Sequence, residues 1–138
     1  MIHLVYTSTA VDRMDDDALD QILRESHERN ERRNVTGMLL YRDGTFLQVL
    51  EGDDEDVLHV YDLIKGDERH RGLVNVLQEP IGERSFSDWK MSFRRVEDAD
   101  LKAVPEGYSR FMENGFDGDA FEDEPNHALE ILSYFREE

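Results

Sequence analysis

Cysteine is missing from this 138-residue chain, which removes disulfides and thiolate metal sites from consideration. Proline is scarce, at three residues, and no low-complexity tract, internal repeat or interior linker interrupts the sequence. Long hydrophobic runs are lacking too. The longest, "MLLY" and "IHLVY", fall far short of a bilayer span, and the N-terminus has neither the basic start nor the apolar centre of a signal peptide. A cytoplasmic location with no membrane contact is the expectation. Positive charge is the last shortage: 16 Lys and Arg stand against 33 Asp and Glu, a formal charge of −17. Such a surface repels phosphate backbones, so nucleic acid is excluded as the expected partner. The five histidines, His3, His27, His59, His70 and His127, show no paired ligand spacing, and no metal site is expected.

What is present is enough for one core. Two acidic runs, Asp15 to Asp17 and Asp53 to Asp56, each precede a helical pattern, where carboxylates suit the positive end of a helix dipole. Leu19, Ile22, Leu23 and Ser26 make the first apolar stripe; Val57, Val60, Tyr61 and Ile64 make the second. Between them the period changes to two. "NVTGMLLYRDGTFLQVLEG" reads as two strands around an Asp-Gly turn. Further strands are "IHLVYTS", "LVNVLQEPI" and "WKMSFRRV". The order βαββαββ predicts an α+β, ferredoxin-like, mainly antiparallel sheet with two helices on one face.

Alternation puts Phe46, Gln48 and Leu50 on one face of the third strand and Leu47 and Val49 on the other. Ile2, Leu4 and Tyr6 share a face of the first strand, as Trp89, Met91 and Phe93 do of the last. Both faces of the third strand are apolar, so both need covering. "EPNHALEILSYFREE", with Pro125 at its start and a stripe of Ala128, Leu129, Leu132 and Phe135, predicts a helix on the face opposite the other two. Residues 1–97 are expected to form the main unit and 98–138 a C-terminal helical extension packed on the sheet. Residues 113–124 read as a solvated loop, because Asp117 and Asp119 lack the glycine and closing glutamate of a calcium loop at the required positions.

One residue does not suit its place. Gln48 is an amide within the apolar run "FLQVLEG", and a buried amide needs partners for two donors and an acceptor, or costs on the order of 1–3 kcal/mol. Something polar must face it, and a neighbouring backbone carbonyl or the Tyr6 hydroxyl would serve.

The stretches "LVYTS", "NVTGMLLYRDGTFLQVLEG", "DERH" and "FSDWKM" together resemble the BLUF family of flavin-binding blue-light sensors, from Ile2 to Arg95 in matching order and spacing. The resemblance implies a flavin cofactor, FAD or FMN, held between the two helices. It implies that Tyr6 is the photoactive tyrosine beside the ring, that Gln48 bridges it to the flavin, and that Asn30 bonds the ring's polar edge. Ile22 and Ile64 clamp the ring, Trp89 and Met91 form a pair near the glutamine, and Arg69 and His70 lie near the ribityl and phosphate tail. Arg29 stands where the family often has another polar or aromatic ring-edge residue. The implied event is light-driven loss and return of an electron and a proton at Tyr6, which leaves Gln48 rotated or tautomerised. The chain is expected not to be an enzyme, and to signal through a separate protein partner or self-association as a homo-oligomer.

Two other classes compete. An acylphosphatase-type enzyme needs a basic, glycine-rich loop after the first strand, whereas "STAVDRMDDD" has four aspartates and no glycine. A flavin-free ligand-binding or interaction module of the same fold is the remaining alternative.

Overall fold

Among the described residues, nine elements follow one another as β1 (Ile2–Ala10), α1 (Asp16–Arg33), β2 (Thr36–Arg42), β3 (Thr45–Gly52), α2 (Asp54–Lys65), β4 (His70–Pro80), β5 (Ser92–Arg95), α3 (Asp98–Ala103) and α4 (Asn126–Arg136). The computed structural model describes residues 1–12, 14–86, 92–103, 115–116, 121 and 124–136. Trp89 and Met91 lie outside these described residues.

The helices begin where the acidic runs place them. Asp15 is the N-cap of α1 and accepts from Ala18 N–H at 2.9 Å, with Asp16 and Asp17 in the first turn. Asp53 precedes α2, whose first turn holds Asp54, Glu55 and Asp56. Each carboxylate there faces the positive helix end.

The sheet order is β4-β1-β3-β2-β5, antiparallel except for the β2–β5 pair. Arg42 pairs with Thr45 across the hairpin, leaving Asp43 and Gly44 as a two-residue turn with φ of 48° and 78°. Two positive φ values in sequence match the twist of the flanking strands, and Asp-Gly is the pair that accepts them. Gly37 has a different reason to be glycine: a Cβ there would lie 2.0 Å from the Val49 carbonyl oxygen.

Two cores lie on the two faces of the sheet. Leu4, Tyr6, Phe46 and Leu50 join Leu19 and Ile22 of α1 and Val57, Val60, Tyr61 and Ile64 of α2. Val5, Met38, Leu40, Leu47 and Val49 face the other way, beneath Ala128, Ile131, Leu132 and Phe135 of α4. The alternation read from the third strand therefore holds, and the C-terminal helix covers the face opposite α1 and α2.

Within the stretch 113–124, read as a solvated loop, two of the described residues depart from that expectation. Phe116 and Phe121 are buried in the second core, and Phe116 N–H donates to Thr45 Oγ1 at 2.6 Å. Two phenylalanines spaced among acidic residues give no period, so burial driven by apolar area left no pattern to read. Asp117 and Asp119 lie outside the described residues.

Glu51 is a fully buried carboxylate on the α4 side of β3. Its two oxygens accept from Ser85 N–H at 2.8 Å and Phe86 N–H at 2.7 Å. Arg84 completes the clamp, donating to Thr36 Oγ1 at 2.8 Å, the Glu51 carbonyl at 3.0 Å and the Asn34 carbonyl at 2.7 Å. The segment after β4 is thus tied to the strand that carries Gln48. An amide at position 51 keeps one acceptor but turns two donors toward N–H groups. Glu51→Gln is expected to lower stability by about 1–3 kcal/mol, measured as the urea midpoint; an unchanged midpoint contradicts the clamp.

Candidate functional site

The β1–β3 register sets Tyr6 directly opposite Gln48, and the β2–β3 register sets Leu39 opposite Gln48 on the other side. Cross-strand partners project to the same face a few ångströms apart. Tyr6, Gln48 and Leu39 therefore form one row across the middle of the sheet, under the gap between α1 and α2. All three are almost completely buried.

Above that row is a narrow cleft, partly open to solvent, with a free cavity of about 20 Å³. Its walls are Ile22 from the stripe of α1 and Ile64 from the stripe of α2. Toward the mouth the lining turns polar, with Glu25, Ser26, Arg29, Asp67, Arg69 and His70. The arrangement is an apolar slot with a hydrogen-bonding floor and a charged rim, the usual make-up of a site for a planar organic ligand.

On the floor, the Tyr6 hydroxyl donates to Gln48 Oε1. Burial raises the Tyr6 pKa, with the Arg29 guanidinium pulling it down and Tyr61 pushing it up. Tyr6 is a neutral phenol at any ordinary pH. The Tyr61 ring lies 5.4 Å from its own. Arg29 reaches Ser26 Oγ through Nη2 at 3.3 Å, and burial lowers its pKa without removing its charge.

At the rim, Arg69 donates to Asp67 from Nε at 2.9 Å and from Nη2 at 2.6 Å, and pairs with Glu25 of α1 at 2.7 Å. The hydrogen bonds from Arg69 hold the Asp67 carboxyl below the usual carboxylate range. His70 Nδ1 and Ser8 Oγ are hydrogen-bonded at 3.1 Å, and its ring lies 4.8 Å from that of Phe46. Burial lowers the His70 pKa from the ordinary 6.5, opposed by Asp67 and assisted by Arg69 and Arg29.

Six of the seven residues proposed from the sequence as cofactor-binding line this one cleft: Tyr6, Ile22, Gln48, Ile64, Arg69 and His70. Asn30 does not. It continues the stripe of Ile22 and Ser26 at four-residue steps, fully buried, and its carbonyl accepts from Val35 N–H at 2.9 Å where the chain leaves α1. Leu39, Ser26, Glu25 and Asp67 escaped the sequence reading. Ser26 was legible on the α1 stripe and Leu39 in the hairpin register; the two acids carry no signal distinguishing them from the many others.

Residues 1–92 match a family model described as "BLUF: Sensors of blue-light using FAD". The chain belongs to the BLUF family. It is a flavin-binding blue-light sensor domain, and its fold is the ferredoxin-like one of the BLUF structures. The dark-state structure of BlrB, a BLUF protein, superposes with a TM-score of 0.67 at 32% identity, covering 93% of this chain and 96% of that one. Klebsiella pneumoniae BlrP1 with FMN and cyclic diGMP gives a TM-score of 0.63 at 28% identity, covering 75% of this chain and 27% of that one. Among curated proteins, the photoactivated adenylate cyclase subunit alpha of Euglena gracilis is 42% identical over 86 residues, 62% of this chain. The match spans 8% of that relative's length, and the cyclase part lies in its other domains.

The cleft suits a BLUF flavin. Two aliphatic walls match the faces of a planar ring, and Arg29 Nε is a buried donor without a hydrogen-bond partner among the described residues, as an edge bearing ring acceptors requires. Among the described residues no cluster of His, Asp and Glu could hold a metal ion, and no helix is long and apolar enough to cross a membrane.

His70 gives the cleft a pH dependence with a definite sign. The folded pKa lies below 6.5, so just below that pH the unfolded chain binds a proton that the folded chain does not, and stability falls as pH falls. Denaturant midpoints of the flavin-free protein taken between about pH 7.5 and about pH 5.5 should drop more for the wild type than for His70→Asn. Equal drops contradict the assignment.

Proposed function

We propose that Gln48 is the switch of this sensor and that Tyr6 is the residue that throws it. The hydroxyl of Tyr6 donating to Gln48 Oε1 on the cleft floor is the observation that carries this reading. An amide is nearly symmetric in shape and antisymmetric in hydrogen bonding. Rotated, its nitrogen end faces the Tyr6 oxygen as a donor; tautomerised, its oxygen end becomes a hydroxyl that donates there, and in both cases the group presented to the cleft changes. A bound flavin supplies blue-light absorption and a transient acceptor for an electron. Tyr6 supplies that electron and holds the proton that moves with it. Electron loss and proton loss are coupled because the oxidised phenol is strongly acidic and its hydroxyl already donates to Gln48 Oε1, and both the electron and the proton then return to Tyr6. No covalent bond changes permanently, so the two arrangements are two states of one network in a low dielectric, where a reversed hydrogen bond counts.

The other residues have supporting roles in this proposal. Ile22 and Ile64 hold the ring by its faces, Arg29 meets its polar edge, Asn30 reaches that edge from one helical turn beyond Ser26, and Arg69 and His70 lie beside its tail. Residues 1–97 form the flavin unit and residues 98–138 its cover. Outward, Gln48 on one face of β3 and Glu51 three residues on at the other link the cleft to the segment that leads to Trp89 and Met91. The signal passes from there to a separate protein or a second copy of the chain, in the cytoplasm. FAD or FMN serves as cofactor; the catalysis named for the Euglena relative is assigned to none of this chain's residues.

Gln48→Leu retains shape and loses the amide. It should bind flavin and lose the light-induced displacement of the flavin absorption bands. A normal displacement in that variant removes the mechanism while leaving flavin binding intact.

A further inference from the structure

We propose that Glu25 sets the cofactor selectivity of the cleft, by occupying the guanidinium that would otherwise attract a phosphorylated tail. This inference rests on the reading of the cleft as the flavin site. The ring is assigned to the buried floor and aliphatic walls, so a tail emerges at the rim, where Glu25, Arg29, Asp67, Arg69 and His70 stand.

With Arg29 assigned to the ring edge and bonded to Ser26, Arg69 is the rim cation left for a phosphate, and it is already engaged. Asp67 takes its Nε and Nη2 edge, with contacts of 2.9 and 2.6 Å, and Glu25 reaches Nη2 at 2.7 Å from α1. Two carboxylates against one guanidinium leave this group with a net negative charge. Their standing is unequal. Asp67, 21% exposed, lies two residues from Arg69 and also accepts from its backbone N–H at 2.9 Å, so it is built into the turn. Glu25 is 46% exposed, comes from another element and makes one contact. Glu25 is the partner that a phosphate must displace.

The surroundings act in the same direction. Asp17, Asp20 and Glu28 share one surface patch of α1 with Glu25, and Arg24 is the cation within that patch. Charge-assisted bonds from arginine to phosphate are among the stronger polar contacts, and here they exchange against an existing one of the same kind. The phosphate therefore adds little to the affinity of the ring.

Riboflavin, which has the ring and no phosphate, is the matched probe for FMN. Both would be titrated into flavin-free full-length chain by fluorescence, at low and high salt, in the wild type, Glu25→Gln and Glu28→Gln. Glu28 lies on the same helix outside the cleft lining, so its variant removes the same charge from the field without releasing Arg69. The wild type should bind the two flavins within about threefold of each other. Glu25→Gln should tighten FMN by about three- to tenfold, leave riboflavin unchanged, and lose the gain at high salt. Glu28→Gln should leave the FMN-to-riboflavin ratio where it was. A ratio unmoved by Glu25→Gln, or moved equally by Glu28→Gln, overturns the selectivity role while flavin binding stands. Failure of the wild type to bind either flavin overturns the cleft assignment and the inference with it.

Discussion

The antiparallel register that sets Tyr6 opposite Gln48 is the constraint on which the rest of this molecule depends. Slipped by one residue, β3 would send Gln48 to the face of α4 and bring Leu47 or Val49 under the cleft. What prevents the slip is the chemistry of both faces together. Leu47 and Val49 must reach the core beneath α4, and Phe46 and Leu50 the core beneath α1 and α2. The Asp43-Gly44 turn fixes the pairing of β2 with β3, and Glu51 locks the far end of β3 to Ser85 and Phe86. Gln48 is thus held in a well-packed strand, and in the proposal above its amide is the part that takes one of two orientations. A two-state element is useful only when its frame is not also moving.

Charge is arranged with equal economy. A surplus of acid keeps the surface negative, and carboxylates are placed where they do structural work at the starts of α1 and α2. The few cations near the cleft are each tied to a task. Arg84 caps carbonyls at the end of β3, Arg69 is clamped by Asp67 and Glu25, and Arg29 sits half-buried beside Tyr6. Arg29 is the charge that acts most directly on the switch, because it favours tyrosinate where burial opposes it. In this setting the tyrosine proposed as photoactive stays a protonated donor in the dark, and the neighbouring cation makes positive charge on it costly, which favours release of the proton along with the electron.

Much of this was legible in the sequence, for identifiable reasons. Period-two alternation in "FLQVLEG" gave both faces of β3, and the Asp-Gly pair gave the hairpin. The stripes of α1 and α2 put Ile22 and Ile64 on the core-facing sides of their helices, because helical spacing and burial coincide, and the BLUF resemblance made them walls. An amide in an apolar strand announced a polar neighbour, and the register supplied Tyr6. The rest was hidden by long-range placement. Nothing local marks Asp67 and Glu25 as partners of Arg69 among 33 acidic residues. Glu51 reads as the solvent end of a strand until the segment after β4 folds over it. Phe116 and Phe121 lie in a stretch with no period at all. Asn30 was placed at the cleft by family likeness and lies on the same stripe just beyond the lining, a distance that spacing along a helix does not resolve.

The most direct test of the switch looks at the amide itself. Gln48 is one of three glutamines, with Gln21 and Gln78, so a light-minus-dark infrared difference spectrum of protein labelled with side-chain 15N-glutamine is simple to assign. A glutamine amide band that changes with light, shifts with the label and relaxes in the dark alongside the flavin absorption is the predicted result. A fully displaced flavin spectrum with no labelled glutamine band in the difference would contradict the account.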